Sequence, residues 1–177
     1  MSLTTESPAD AELWAQWNLL YRRTIQAYIL GLVRRHDLAD DLTQEVFCRA
    51  WQARDRYQEQ GTARAYLLRI ADRLVVDHYR QSGREVNLTE EGWKQVEPAQ
   101  RAKTPEDVMA QEEVSRQLAS TLDNLSLTQR RVLLLRYYGE IPFTEIAAIM
   151  GCPLSTALSH CHRGLLTLRK LLGPAQK

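Results

Sequence analysis

The sequence is poor in cysteine. It has three, Cys48, Cys152 and Cys161, and no two of them have CxxC spacing. That is too few for a disulfide framework, and they read as the reduced thiols of a cytoplasmic protein. No apolar run approaches the ~20 residues needed to span a bilayer. No apolar signal segment follows the first Met, so neither membrane insertion nor secretion is expected. A Gly-rich phosphate loop is missing. Val and Ile nowhere alternate with polar residues over a strand length, which leaves helix as the regular structure. There is no internal repeat and no low-complexity tract. Asp77-His78 has the look of an acid–base pair, but no Ser or Cys nucleophile stands in a recognisable motif. His78 falls on an apolar helix face and reads as structural. No enzyme, small-molecule substrate or cofactor is expected.

What is present is an ordinary globular composition with an uneven charge. The 177 residues are 44% hydrophobic and 25% charged, with a net charge of +1. Residues 1–13 carry three acids and no Lys or Arg. Residues 14–84 hold twelve basic and eight acidic groups. Residues 85–108 reverse this with three and six, and residues 109–177 return to eight and five. Two basic blocks joined by an acidic connector suit two nucleic-acid-facing modules better than one uniform surface.

Apolar periodicity predicts helices throughout. The first opens at Ser7-Pro8 and runs towards Arg35, with a break near Gly31; Leu13, Trp17, Leu20, Tyr21, Tyr28 and Leu32 fall near one side. The second opens at Asp37 and turns Leu42, Val46, Ala50 and Ala53 inward. Phe47 and Trp51 lie beside that face and Asp41, Gln44, Glu45 and Cys48 opposite it. The third is capped by Thr62 and repeats Ala63, Tyr66, Leu67, Ile70, Ala71, Leu74, Val75 and His78 at helical spacing, with Arg64, Arg69, Arg73 and Arg80 on the other face. Periodicity then fades over residues 83–103, and a domain boundary is placed there. Thr104-Pro105-Glu106-Asp107 starts a helix to about Asp123. Ser126 to Gln129 has capping-box spacing and opens a helix that stops at Gly139. A short helix, Phe143 to Met150, precedes a last one from Leu154 to Leu172. The fold class is all-α: a first domain over 8–82, a flexible linker over 83–103, and a second domain over 104–173.

Two constellations point to nucleic acid. Phe143–Met150, the turn Gly151-Cys152-Pro153 and the helix from Leu154 form a helix-turn-helix pattern, in which the second helix enters a major groove. Leu154, Leu158, Cys161, Leu165, Leu168 and Leu172 would be buried. Ser155, Thr156, Ser159, His160, His162 and Arg163 would face outward, where small polar groups and an Arg can meet base edges and phosphates. A plain αα-hairpin has the same pattern. The second constellation is the loop and third helix. Arg54, Arg56, Tyr57, Gln58, Gln60, Arg64, Tyr66, Arg69 and Arg73 mix cations, aromatics and amides as a single-strand site does. A solvated Arg face would look similar. His160 and His162 lie about 200° apart on a helix, so with Cys152 and Cys161 they do not converge on a metal ion. Trp14, Trp17 and Trp51 read as core or partner-facing anchors.

Asp37-Leu-Ala-Asp-Asp-Leu-Thr-Gln-Glu-Val-Phe-Cys-Arg-Ala-Trp51 resembles region 2.2 of bacterial RNA polymerase sigma factors, in their small extracytoplasmic-function (ECF) group. Tyr66 to Arg80 resembles that group's regions 2.3 and 2.4. Leu125 to Tyr138, Thr144 to Gly151 and Leu154 to Arg169 resemble its region 4. The resemblance implies that Asp41, Gln44, Glu45, Phe47 and Trp51 dock on the coiled coil of the polymerase β′ subunit, with the β subunit as a further contact. It implies that Arg56, Tyr57, Gln58, Gln60, Thr62, Arg64, Tyr66, Arg69, Arg73 and Arg80 open and hold the minus-10 promoter DNA, at a stacking cost of a few kcal/mol for an extracted base. Arg130, Arg131, Ser155, Thr156, Ser159, His160, His162, Arg163 and Lys170 would read the minus-35 element. It also implies an anti-sigma factor as regulator. The chain departs from the usual pattern at Tyr66, where the family commonly has Trp, and at Asp72-Arg73, where it has Arg-Asn. Its last helix lacks several of the usual cations. A stand-alone helix-turn-helix regulator, or a helical decoy for an anti-sigma factor, are the other readings of the same residues.

Overall fold

A computed structural model describes residues 8–54, 62–82 and 120–172. The linker, residues 56–60 and most of the helix expected from Thr104 lie outside them. Among the described residues there is no strand, and no helix is long and apolar enough to cross a membrane.

Three helices make the first unit: α1 (Pro8–Val33), α2 (His36–Gln52) and α3 (Ala63–Gln81). α1 buries Trp17, Ile25, Tyr28, Ile29, Leu32 and Val33, while Leu20, expected among them, is exposed. It does not break at Gly31. It ends at Arg34, which takes a left-handed φ of 59° and donates its backbone N–H to Leu30 O at 2.9 Å. Gly31 answers a different need: a Cβ there would stand 2.8 Å from Leu134 Cδ1 of the second unit. On α2 the buried face is Ala39, Thr43, Val46, Phe47 and Ala50, rotated from the expected one, with Leu42 and Ala53 only half-buried. Thr62 caps α3 as expected, accepting from Ala65 N at 3.3 Å.

The second unit starts with a helical stretch at residues 120–123 and continues in α4 (Leu127–Leu133). The expected capping box is present, with Gln129 N donating to Ser126 Oγ at 3.3 Å and Ser126 N to Gln129 Oε1 at 3.1 Å. The helix then widens into a π segment over Leu134–Tyr138, closed by Gly139 N donating to Leu134 O at 2.9 Å. Next come α5 (Phe143–Met150) and α6 (Leu154–Leu172). Gly151 between them has φ 63°, the left-handed turn that glycine adopts without a Cβ penalty.

α6 departs from its expected face. Leu154, Leu158, Leu165 and Leu172 are 40–47% exposed, and the buried positions are Ala157, Cys161 and Gly164, with Leu168 half-buried. Small residues win because α6 lies close on α4: a Cβ at Gly164 would stand 2.8 Å from Leu133 Cδ1. The two units also meet each other, and their buried apolar side chains form one cluster.

Candidate nucleic-acid interface

The outer face of the helix-turn-helix is mixed, with polar groups beside the exposed Leu158, Leu165 and Leu166. Ser155, Ser159, His162 and Arg163 on α6 are exposed, and Thr156 and His160 are half-buried. Burial first, then the positive charges of Arg163 and Arg131, push the His160 pKa below its usual value, which favours the neutral imidazole. Arg169 and Lys170 stand exposed in the last turn, where the helix dipole favours cations. A turn of small hydroxyls with one Arg and a basic far end is a surface that can enter a groove and touch phosphates.

The second basic face is on α3. Arg73 and Arg80 are exposed, the latter 3.8 Å from Asp77. Arg69 is half-buried, and its Nε has no hydrogen-bond partner among the described residues. Tyr66 packs edge-on to Trp17 with centroids 6.4 Å apart, and burial raises its phenol pKa. Arg64 is engaged by the second unit: it ion-pairs with Glu140 and donates to Gly139 O at 3.3 Å. Arg56, Tyr57, Gln58 and Gln60 lie outside the described residues. Thr62 is spent on capping α3.

Arg130 and Arg131 are not placed as expected. Arg130 is fully buried: it lies 3.8 Å from Asp123 and donates to Leu125 O at 3.4 Å. Burial pulls its pKa down to about 10, which the Asp123 charge partly opposes and the nearby Arg34 charge reinforces. A guanidinium with no exposure cannot meet a phosphate. Arg131 reaches across to the first unit and clasps Asp72 of α3 with two parallel hydrogen bonds, Nε to Oδ1 at 2.7 Å and Nη2 to Oδ2 at 2.6 Å. Tyr28 of α1 donates its phenol to the same Oδ1 at 2.7 Å. Burial disfavours the Arg131 charge, but the bonds and charge of Asp72 outweigh it and the pKa is raised. Arg34 adds a further link, with Nε 3.1 Å from Asp123 Oδ1. Tyr28, Arg34, Asp72, Asp123 and Glu140 were not singled out as site residues. The signal available for them was Asp72 itself, a carboxylate between Arg69 and Arg73 on α3.

On α2, Asp41 and Gln44 are exposed, and Glu45 is half-buried and paired with Arg49 at 2.7 Å. Phe47 is only 9% exposed, so it belongs to the core and not to the docking face assigned to it. Trp51 is also half-covered: it packs edge-on to Trp14, with ring centroids 5.5 Å apart, and the Arg54 guanidinium sits 4.3 Å above its ring.

A family model described as Sigma-70 region 2 matches residues 19–85, and one described as Sigma-70, region 4 matches residues 115–168. The ECF RNA polymerase sigma factor SigK of Mycolicibacterium vanbaalenii is 29% identical over 168 residues, 94% of this chain and 85% of that protein. SigX of Bacillus subtilis is 26% identical over 152 residues, 85% of this chain and 78% of that one. Among solved structures, the sigma factor RpoE of Bartonella quintana, in complex with the anti-sigma factor NepR, superposes with a TM-score of 0.73 at 25% identity. That match covers 93% of this chain and 99% of RpoE.

Proposed function

The chain belongs to the sigma-70 family, as an ECF-type factor with regions 2 and 4, and from that premise we propose how its residues divide the work of transcription initiation. Asp41, Gln44 and Glu45 on α2 dock on the β′ coiled coil of core RNA polymerase, with the β subunit as a further contact. The α3 face, through Arg69, Arg73 and Arg80 and the loop holding Arg56, Tyr57, Gln58 and Gln60, melts and holds the minus-10 strand. Cations there meet phosphates, and aromatics stack on bases. The outer face of α6, through Ser155, Ser159, His162 and Arg163, reads the minus-35 element as duplex. The domains serving these roles are 8–82 and 104–173, joined by 83–103. The factor has no catalysis of its own, acts in the cytoplasm, and is held in check by an anti-sigma factor.

One observation carries this reading. The outward polar residues Ser155, Ser159, His162 and Arg163 lie inside the region 4 match, and α2 and α3 lie inside the region 2 match. The test is transcription in vitro with bacterial core RNA polymerase on fragmented genomic DNA, with sequencing of RNA 5′ ends. New start sites sharing two upstream elements are expected. Arg163→Ala lowers the salt slope of promoter binding by about 1 if Arg163 meets a phosphate. A complex with core that yields no new starts points to a decoy. Absence of a complex, with binding to operator DNA alone, points to a stand-alone regulator.

A further inference from the structure

Packing leaves Leu154, Leu158 and Leu165 of α6 exposed along one flank, between the buried Cys161 and the outward Ser155 and His162. A single exposed leucine is ordinary, but a flank of them marks a surface that something covers. Charge says what kind of partner suits it. α6 holds Arg163, Arg169 and Lys170 and has no Asp or Glu. Two copies of such a helix repel each other, whereas a polyanion is attracted.

Leu158 is the leucine of this flank best placed to meet a base. It follows the buried Ala157, so it is turned about 100° from the packed face. It is 44% exposed. Ser155, three residues before it, and His162, four after it, are exposed on the same side, with Ser159 next to it. The start of the second helix is the part of a helix-turn-helix that reaches base edges. Here the first two turns, residues 154–160, read Leu-Ser-Thr-Ala-Leu-Ser-His. They hold no Arg, Lys, Asn, Gln, Asp or Glu, the side chains that pair with guanine, adenine or cytosine in the major groove. These turns therefore offer a base small hydroxyls, one half-buried imidazole and an apolar side chain. The major groove presents one apolar group, the C5-methyl of thymine. Packed on Leu158, that methyl and the leucine leave water together. A cytosine in its place would turn its N4 amine towards the leucine and lose a water with no acceptor in exchange.

We infer that Leu158 is a specificity-determining residue, which selects thymine in the minus-35 duplex by packing on its methyl group. The inference rests on the reading of α6 as the helix that enters that duplex, and it names what the helix selects there. Selection comes from burial and shape at Leu158, while Arg163, just over one turn further on, supplies charge.

The test uses the full chain assembled with core RNA polymerase, on a promoter found by the transcription assay above. Each thymine of the minus-35 element is replaced in turn by deoxyuridine, which keeps its base pairing and lacks only the methyl. Binding is measured by gel shift. With the wild-type chain, one such replacement should weaken the promoter complex about fourfold, the worth of one buried methyl group. Leu158→Ala should weaken binding to the thymine promoter by at least as much, and should then bind the deoxyuridine promoter equally well. Leu165→Ala, two turns along the same flank, should keep the full response to deoxyuridine. Circular dichroism checks that each variant is folded. The inference is overturned by a minus-35 element without thymine, by wild-type binding that no deoxyuridine changes, or by a methyl effect that survives Leu158→Ala. An intact promoter complex without a methyl effect would leave the leucine flank to a protein partner. Absence of any complex with core would remove the sigma-factor reading, and this inference with it.

Discussion

Asp72 shows what a single carboxylate costs and returns inside this chain. Burying it alone would be expelled by solvation, but here it accepts three hydrogen bonds, two of them from the guanidinium of Arg131. Removing one partner of such a buried pair costs about 3–5 kcal/mol, because the other charge is left uncompensated. Replacing all members by apolar groups of similar size is often neutral or stabilising. Asp72→Asn is therefore expected to lower the thermal midpoint by roughly 6–20 °C, at ~2–4 °C per kcal/mol for a chain of this length. The triple variant Tyr28→Phe/Asp72→Leu/Arg131→Met is expected to return to within a few degrees of wild type. Thermal melts followed at 222 nm decide it, and a single variant that melts with the wild type would mean the cluster contributes little. Tyr28 adds a pH test. Its phenol is raised well above the usual value by burial, then by the charge and hydrogen bond of Asp72. A raised pKa gives stability that is full below about pH 10, the ordinary phenol value, and is lost as pH rises through the folded value. Urea denaturation across that range should show a fall in stability that Tyr28→Phe makes shallower.

At the scale of elements, α6 separates what a pattern suggests from what packing selects. Gly164→Ala gains up to about 1 kcal/mol of helix propensity. Against this, its methyl would stand 2.8 Å from Leu133 Cδ1, and overpacking of that kind costs ~1–3 kcal/mol. A net loss of about 0–2 kcal/mol is expected. Leu158→Gln, at a 44% exposed position, should change stability by under ~0.5 kcal/mol. If Leu158→Gln proves the costlier in urea titrations, Leu158 is buried after all and the face is wrong. The same element explains what could be read in advance. Helix starts and stops were legible because they are written in local chemistry: Thr62 and the Ser126–Gln129 box open helices and Gly151 closes one, each as its residue type dictates. The packed face of α6 was not, because Ala157, Cys161 and Gly164 carry little hydrophobic signal and are chosen for the close approach of α4. The α3 face failed differently. Leu68 and Asp72 are buried by a unit more than fifty residues further along the chain, and periodicity within one helix does not register a distant partner. Of the candidate nucleic-acid faces, what was legible was the exposure of Ser155, Ser159, His162 and Arg163 on α6 and of Arg73 and Arg80 on α3. Arg130 and Arg131 were not, since a cation looks the same in sequence whether it faces a phosphate or a buried carboxylate.

For the whole molecule, the shared core makes a prediction about cooperativity. Trp14, Trp17 and Trp51 all lie in α1 and α2, so with the fourth tryptophan removed by Trp93→Phe, fluorescence reports on the first unit. Far-ultraviolet circular dichroism reports on the helices of both. If the units stand together through one apolar cluster and the buried Asp72–Arg131 pair, urea should unfold them in a single transition seen alike by both probes. The slope of stability on urea then reflects the surface of both units exposed at once. Arg131→Gln should separate the probes, because the second unit loses its anchor while α1–α3 keep their own packing. Dichroism would then begin to fall at lower urea than fluorescence, and the slope for each step would be smaller than the wild-type one. Salt distinguishes which contacts matter. Arg64–Glu140 is exposed enough to be screened, with Glu140 at 73%, whereas Asp72 at 2% is not. Coincidence of the two probes should therefore survive 1 M salt in the wild-type chain. Probes that part in the wild type at low salt would mean that the two units unfold independently, and that the contact between them contributes nothing to holding the chain together.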